Sequence, residues 1–420
     1  MCIRDRTETY KNGPSGTNDR KYMMHTGQPN RIGFRGTESL GGGLTAFFQV
    51  EQQVGGDARK YSTLENGGNY LWGGRPTFLG LRGGWGEVSF GMQDASYKDV
   101  ANVWNAVPTF NHTNVIMGHS SSTGTAPNPN CFSPGVSQAT GAIDAATATQ
   151  PNGCGGDLVG SATSFNRTVS NSIKYITPVI AGFRFNTLLE VPDYDEPDAT
   201  TNVGGIAAGA SKYEPRTGSF ALTWTGGPFS AGVGYEQHQG YRAANTAATN
   251  RSAEDKGWTL GGKWNFGVGQ LGIGFEQLKY ENSGTAAAAN NFKIQNYVVN
   301  GTWNVLPNGI LGASYSWTPG AKDCGVVGAT GAVANAGNTA CGDAGKAKYL
   351  SVTYDHLLSK RTSIYAAYGR IDNGSGAAAG TGSNYYYFAG PLTNNNNGTT
   401  SGLARGQDVQ TIATGVKHTF

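Results

Sequence analysis

The chain has 420 residues, including 65 glycines, 20 tyrosines, 17 phenylalanines and 8 tryptophans. Only 38% of the residues are hydrophobic and 14% are charged, whereas an ordinary soluble domain has about 45–50% and about 25%. The aromatic content excludes a disordered chain, because disordered sequences are poor in aromatic residues. A net charge of +3 gives no support for nucleic-acid binding.

The sequence has no run of 18 apolar residues, so it predicts no transmembrane helix. The first residues, MCIRDRTETYKNG, also lack the apolar region of a signal peptide. Either the protein stays in the cytoplasm or the sequence does not begin at its natural start. We favour the second interpretation and expect residues 1–6 not to be native.

Period-2 alternation of apolar and polar residues dominates the chain and predicts fifteen strands. Most of them have about 9–12 residues, whereas strands of soluble proteins are nearer 5–6, and about 9–11 residues cross a bilayer as a tilted strand. No long helical stripe is expected. In chain order the predicted strands are 31–37, 44–54, 74–83, 86–94, 168–177, 181–191, 216–225, 229–238, 257–266, 270–281, 292–304, 309–318, 347–356, 362–372 and 408–420.

The connections between these strands alternate strictly between two kinds. One kind is tight, as in Glu38–Gly43, Gly83–Gly86 and Val305–Gly309. The other is long and of low complexity, as in 95–167 and 374–406. Short turns at one end and long loops at the other are the organisation of an outer-membrane barrel.

The two faces of the predicted strands differ in polarity. Phe220, Leu222 and Trp224 alternate with small or polar residues, and Trp258 and Leu260 do the same. A soluble β-sandwich would show similar alternation, but its inner face needs close apolar packing. Here the polar parity carries arginine and lysine near mid-strand, which a water-filled lumen accepts.

Bacterial single-chain barrels have an even number of strands, and about 16–18 strands leave an aqueous channel. We therefore predict an all-β fold, a 16-stranded antiparallel transmembrane β-barrel that forms a single domain over residues 1–420. The missing strand lies at the N-terminus, where Thr7–Gly13 looks like the end of a truncated strand 1. A full first strand paired with 408–420 would contradict the truncation.

Several stretches together resemble the general Gram-negative porins of the β-proteobacterial type. They are NRIGFRGTESLGGGLTAFFQVEQQV (Asn30–Val54), GRPTFLGLRGGWGEVSFGMQ (Gly74–Gln93), NSIKYITPVIAGFRF (Asn171–Phe185), LSKRTSIYAAYGRID (Leu358–Asp372) and TGVKHTF (Thr414–Phe420). The resemblance implies a trimer of barrels in the outer membrane through which small hydrophilic solutes diffuse passively. It also implies that loop 3, here 95–167, folds into the lumen as the constriction. The chain departs from the family at Gly91-Met92-Gln93, where Gly-Arg-Gln is common.

Selectivity in such channels comes from charged side chains at the narrowest section. Parity and strand position predict that Arg35, Arg82, Lys174, Arg184 and Lys263 line the pore, although the parity around Arg82 is mixed. An arginine at a strand end can instead meet lipid headgroups or solvent. The constriction loop contributes a few charges of its own, namely Asp94, Lys98 and Asp99, followed by Asp144 and Asp157. We expect a cationic wall facing a weakly acidic loop, and hence weak anion selectivity.

The cysteines form two locally spaced pairs in loop-like stretches, and none has metal-binding spacing. The candidate disulfides are Cys131–Cys154 and Cys324–Cys341, which require an oxidising compartment, and free surface thiols are the alternative. The acidic stretch Asp193–Asp198 lacks the glycine and terminal glutamate of an EF-hand, so we interpret it as a solvated loop. A divalent ion that bridges it to lipopolysaccharide is the alternative.

No catalytic residues, metal site or cofactor are predicted, and we do not expect an enzyme. The expected partners are two further copies of the chain in a homotrimer, outer-membrane lipid and lipopolysaccharide, small hydrophilic solutes, and the barrel-assembly machinery. The resemblance implies that this machinery recognises the terminal aromatic Phe420. A surface adhesin and an outer-membrane barrel enzyme are the competing functions. An adhesin does not account for the alternation of turns and loops, and an enzyme needs a triad that no arrangement of residues indicates.

Overall fold

The fold is an antiparallel β-barrel with one short helix inside it. In the computed structural model, residues 2–10, 20–24, 30–54, 75–107, 165, 168–191, 216–243, 252–285, 288–319, 322–328, 333–334, 346–373 and 409–418 are described. Their elements in chain order are β1 (Cys2–Tyr10), β2 (Arg20–Met24), β3 (Asn30–Gly41), β4 (Leu44–Val54), β5 (Thr77–Gly83), β6 (Gly86–Asp94), α1 (Ser96–Trp104), β7 (Thr168–Ile176), β8 (Phe183–Glu190), β9 (Arg216–Gly226), β10 (Phe229–Ala243), β11 (Ser252–Asn265), β12 (Gly269–Thr285), β13 (Ala288–Leu306), β14 (Gly309–Pro319), β15 (Lys322–Gly328), β16 (Val333–Ala334), β17 (Lys346–Leu357), β18 (Thr362–Asn373) and β19 (Val409–His418).

Each strand of the wall pairs antiparallel with its neighbour in the chain. The pairing continues from β3 to β14, then through β17, β18 and β19, and β19 pairs with β1, which pairs with β2. β2 and β3 have the same direction and occupy one position of the wall, since both lie next to β1. β15 and β16 form a small extension beside the first residues of β13, Ala288–Lys293. The wall therefore has the predicted sixteen strands.

The tight connections lie where the sequence predicts them. β3 and β4 are joined through Gly42 and Gly43, whose φ angles of 60° and 81° favour glycine. Two residues also join β5 to β6, β9 to β10, and β13 to β14. These connections mark one end of the barrel, called the short-turn end below; the opposite end is the long-loop end.

The distribution of polar and apolar side chains is the reverse of that in a soluble protein. On the outer face Leu79 is 64% exposed and Ile273 is 57% exposed, whereas the polar residues Asn296 and Ser316 are fully buried on the inner face. A lipid solvent outside and a polar interior explain this reversal. In the described part of the chain, no helix is both long enough and apolar enough to cross a bilayer.

Aromatic residues of the outer face meet across neighbouring strands. Towards the long-loop end, the ring centroids of Tyr297 and Trp317 are 5.2 Å apart and stacked. Near the short-turn end, those of Phe229 and Trp264 are 6.3 Å apart and also stacked. Two such levels correspond to the aromatic girdles at the two membrane interfaces.

The prediction of a truncated first strand is wrong. All nine residues of β1 pair with β19, from Cys2 opposite Lys417 to Tyr10 opposite Val409. The stretch CIRDRTETY has few apolar residues, so a search for alternation misses it. The backbone of β19 nevertheless needs a partner at membrane depth, because an unpaired edge is not tolerated there.

The structure also contains a helix that the sequence analysis did not predict. Helix α1 has nine residues, which is too few for sustained periodicity to be visible. Its buried residues include Tyr97, Val100 and Trp104, spaced by three and four positions on one helical face. This face determines how the helix lies in the barrel.

Candidate pore constriction

Helix α1 follows β6 through the single residue Ala95 and lies inside the barrel. It contacts the wall from β8 to β12, and its contacts involve the inward-facing side chains of these strands. The described start of loop 3 therefore folds into the lumen instead of extending beyond the long-loop end. Among the described strands, β3 to β5 lie away from the helix.

A groove of glycines receives the helix. At Gly234 a Cβ atom would lie 3.1 Å from Val100 Cγ2, at Gly261 it would lie 2.6 Å from Trp104 Cδ1, and at Gly272 it would overlap the Trp104 carbonyl oxygen. The absence of side chains thus lets the helix approach the backbone of the wall. The glycines of this groove are Gly232, Gly234, Gly261, Gly272 and Gly274. Sequence reasoning missed the groove, although glycine recurs there on one strand parity.

Hydrogen bonds fix the helix and the residues after it to the wall, and three of them involve Tyr97 and Ala106. The Tyr97 backbone N–H donates to Ser219 Oγ at 2.8 Å, and the Tyr97 hydroxyl donates to Glu276 Oε2 at 3.1 Å. The Ala106 N–H donates to Asn300 Oδ1 at 2.6 Å. Burial raises the pKa of the Tyr97 hydroxyl well above its usual range, and the nearby charge of Glu276 raises this pKa further. Tyr97 consequently remains a neutral donor at ordinary pH.

A charged network joins the start of the helix to β7 and β8. Lys174 Nζ donates to Asp99 Oδ2 at 3.1 Å, and Asn186 Nδ2 donates to the same oxygen at 2.8 Å. Lys98 Nζ donates to Asp94 Oδ1 at 2.8 Å. The acidic groups at the beginning of the loop are thus already paired with cations. At this point a cation of the wall, Lys174, faces an acid of the loop, Asp99, at hydrogen-bond distance, and the wider arrangement of a cationic wall and a weakly acidic loop stays a prediction.

The other cations predicted to line the pore have inward-facing positions on the wall. Lys263 Nζ donates to the Asn105 carbonyl oxygen at 3.4 Å, so it lies beside helix α1. Arg82 lies 4.4 Å above the Phe47 ring and 3.7 Å from Glu87. Arg35 on β3, opposite Gln49, is exposed.

Arg184 on β8 is also exposed and lies opposite Thr223. Within the described ranges, neither Arg35 nor Arg184 forms an ion pair. The structure thus brings Lys174 and Lys263 to the helix, while Arg35 and Arg82 lie on the part of the wall away from the helix. What each cation does to permeating ions stays a prediction.

A second group of buried side chains lies near the helix, towards the long-loop end of the barrel. The rings of Phe165 and His238 are stacked with centroids 4.6 Å apart, and His238 Nε2 is 2.8 Å from Glu236 Oε1. Phe165 is fully buried, as is Glu236. Phe165 therefore holds the returning end of loop 3 against the same side of the wall as α1.

Some predicted residues cannot be placed. Cys131, Cys154, Cys341, Asp144, Asp157, Phe420 and the stretch Asp193–Asp198 lie outside the described residues. Cys324 is a residue of β15. Within the ranges that the structure describes, no group of three or more histidine, cysteine or acidic side chains is placed to hold a metal ion.

A family model of Gram-negative porins matches residues 6–377. The chain belongs to the Gram-negative porin family. This porin is 25% identical over 375 residues to an outer membrane porin protein of Bordetella pertussis, a match that covers 83% of this chain and 79% of the relative.

It is also 36% identical over 74 residues to the major outer membrane protein P.IB of Neisseria meningitidis. That match covers 18% of this chain and only 20% of the relative's length. Among solved structures, an anion-selective porin from Comamonas acidovorans has a TM-score of 0.59 at 21% identity, covering 100% of this chain and 98% of the other. The two proteins therefore share a fold.

Proposed function

We propose that this porin is a passive diffusion channel for small hydrophilic solutes and ions across the bacterial outer membrane. The observation that carries the proposal is the helix α1 inside a barrel whose inner face is polar, with the helix lying against only one part of the described wall. Such a channel performs no bond chemistry, so the family points to a channel rather than an enzyme. It acts by supplying water and fixed dipoles to a solute that would otherwise meet the hydrocarbon layer.

The inner-face charges support a weak preference for anions. The acids Asp94 and Asp99 each have a lysine partner, at 2.8 Å and 3.1 Å, which cancels most of their field. Arg35 and Arg184 are exposed and form no ion pair within the described ranges. Excess positive charge at the narrowest section favours the passage of anions. We propose that Arg35, Arg82, Lys174, Arg184 and Lys263 set this preference together with Asp94, Lys98 and Asp99.

We further propose that loop 3 comprises residues 95–167 and that the porin works as a homotrimer in contact with outer-membrane lipid and lipopolysaccharide. The family resemblance supports both assignments. It also supports recognition of Phe420 by the barrel-assembly machinery during insertion. The apolar outer face, where Leu79 and Ile273 are largely exposed, is the surface that lipid or a second copy would cover.

Conductance in planar bilayers tests the channel and its selectivity. We expect stepwise openings and, in a salt gradient, a reversal potential of the sign that anion permeation gives. R35Q and R184Q should each move that potential towards cations, while R216Q, which removes an exposed arginine from the outer face of β9, should not. Silence from folded protein would overturn the channel assignment, and a cation-selective wild type would overturn the anion preference.

A further inference from the structure

Two phenylalanines lie together on the inner face of β4 and β5, where a water-filled lumen favours polar residues. Phe47 is 9% exposed, whereas the next residue, Phe48, is 47% exposed on the outer face. Phe47 lies opposite Gly80, and Phe78 shares the strand parity of Gly80, so both rings belong to the inner face. Their centroids are 6.3 Å apart in an edge-to-face arrangement.

Arg82 covers the ring of Phe47. Its guanidinium carbon lies 4.4 Å from the ring centroid, which is the distance of a cation–π contact. Gly80 provides the space for the ring, because a Cβ atom there would lie 2.7 Å from Phe47 Cζ. Stacking on the ring fixes the plane of the guanidinium group. Hereafter Phe47, Phe78 and Arg82 are called the aromatic–arginine cluster.

The hydrogen-bonding capacity of Arg82 is not used by the residues that the structure describes. Its Nη1 is 3.7 Å from Glu87 Oε1, which is longer than the roughly 2.7–3.2 Å of a hydrogen bond. Its Nε has no hydrogen-bond partner among the described residues. The side chain of Arg82 is nevertheless 43% exposed. A fixed, accessible guanidinium group is suited to a carboxylate, which accepts two parallel hydrogen bonds from it.

The second ring supplies an apolar surface beside this donor. Phe78 is half-buried, so part of its ring faces the lumen. Contact with water is unfavourable for an aromatic surface, and the ring of a solute would remove that contact. Because Arg82 and Phe78 both contact Phe47, the guanidinium group and the accessible ring lie within reach of one small molecule.

The cluster lies beside the constriction and carries a net positive charge. The strands β4 and β5 lie away from helix α1. On β3 the exposed Arg35, which forms no ion pair within the described ranges, lies opposite Gln49, and Gln49 lies opposite Phe78. Glu87 lies opposite Arg82 and offsets one of the two arginine charges. The field at the cluster therefore attracts anions.

We propose that the aromatic–arginine cluster is a solute subsite for aromatic carboxylates. The carboxylate accepts hydrogen bonds from Arg82, and the ring of the solute contacts Phe78. The inference rests on the proposed channel function and deepens it by naming a class of solute. Such a subsite assists permeation when binding is favourable enough for entry and weak enough for release.

Saturation-transfer NMR on the folded, detergent-solubilised porin tests the subsite with sodium benzoate as the probe. Benzoate should bind saturably, and acetate, which lacks the ring, should bind at least about threefold more weakly. R82K keeps the charge but loses the planar fork, and it should weaken benzoate binding about tenfold. F78L keeps an apolar side chain, and it should weaken benzoate binding about threefold while acetate binding stays unchanged.

The matched control is R184Q, which removes an exposed inner-face arginine of β8. It lowers the positive charge of the lumen but should preserve the preference for benzoate over acetate. Heat-modified gel mobility establishes that each variant is folded. Equal binding of benzoate and acetate by wild type would overturn the proposal, as would unchanged benzoate binding by both R82K and F78L.

Two further arms identify the ligand class and separate this inference from the channel function. Inorganic phosphate at the concentration of benzoate should not displace it, and displacement would overturn the aromatic carboxylate assignment in favour of a general anion site. In planar bilayers, benzoate should reduce the chloride conductance of wild type more than acetate does. A porin that conducts but responds equally to both contradicts the subsite alone. A porin that binds benzoate in detergent but does not conduct contradicts the channel function alone.

Discussion

Lys174 of β7 donates a hydrogen bond of 3.1 Å to Asp99 of helix α1, and only 9% of the lysine side chain is exposed. This contact ties loop 3 to the wall and cancels two opposite charges at the same place. Asn186 donates to the same carboxylate oxygen at 2.8 Å. The pair therefore influences both the position of the helix and the electric field of the pore.

Substitutions at the two ends of this pair should shift ion selectivity in opposite directions. D99N leaves the charge of Lys174 uncompensated and should move the reversal potential towards anions, whereas K174M leaves Asp99 uncompensated and should move it towards cations. The double variant K174M/D99N should return close to wild type, because the two charges disappear together. Reversal potentials of the four proteins measure this, and shifts of the same sign in both single variants would contradict it.

Replacement of Trp104 by alanine should loosen the constriction without weakening the barrel. Trp104 is 1% exposed, and no partner for its indole N–H is present in the described residues, so its contribution is packing. Loss of a buried tryptophan costs about 3–5 kcal/mol, and here the cost falls on the docking of α1. We expect a larger and noisier single-channel conductance at an almost unchanged unfolding temperature.

The control for this variant is W258A, because Trp258 is 52% exposed on the outer face. It should leave the conductance unchanged. A W104A channel as quiet as wild type would show that α1 does not form the constriction.

A single methyl group added to the wall at Gly272 should also displace the helix, because Gly272 is a wall residue that contacts Trp104. The Cβ of alanine would overlap the Trp104 carbonyl oxygen, and backbone atoms on both sides leave no flexible group to move aside. G272A should therefore resemble W104A in conductance. At Gly218, on the outer face, the nearest atom to an added Cβ is 3.5 Å away, so G218A should behave like wild type. Equal conductance of G272A and G218A would contradict the role of the glycine groove in holding the helix.

The Tyr97 hydroxyl should hold loop 3 with little dependence on pH up to about 10, the ordinary pKa of tyrosine. Its pKa in the folded state is raised, first by burial and then by Glu276. A raised pKa means that the folded state keeps its proton longer than the unfolded state, so this stabilisation is complete below about pH 10 and is lost at higher pH.

Conductance noise measured between pH 7 and pH 11 tests this expectation. Wild type should become noisier only above about pH 10. Y97F should show raised noise that does not change with pH, because it lacks both the hydrogen bond, worth about 1.5–3 kcal/mol with a charged acceptor, and the ionisable group. A Y97F channel with the pH dependence of wild type would assign the effect to another group.

The strands could be predicted from the sequence because the alternation of apolar and polar residues in each wall strand depends on that strand alone. The outward residues Phe220 and Leu222 are 36% and 40% exposed, as their alternation with small and polar residues predicts. Contact with lipid requires apolar residues at the outward-facing positions of each strand, whichever strand lies beside it. The alternation therefore continues along the whole wall. Only the end of β1 was recognised, because its stretch CIRDRTETY carries few apolar residues on either parity.

The constriction was less predictable, because its contacts join residues far apart in the chain. The partners Tyr97 and Glu276 are 179 positions apart, and Lys174 and Asp99 are 75 apart. The sequence contains these residues but not their distances. Of the five predicted cations, only Lys174 and Lys263 are joined to the described start of loop 3 by hydrogen bonds.

The sequence by itself determined the barrel: the alternation, the strand lengths and the order of turns and loops follow from lipid on one face and water on the other. Only the tertiary structure decided how the pore is narrowed. The register of β10, β11 and β12 places Gly232, Gly261 and Gly274 directly opposite one another, and the groove that these glycines form with Gly234 and Gly272 receives Val100 and Trp104. A groove of this kind depends on the register of neighbouring strands, which no single strand specifies alone.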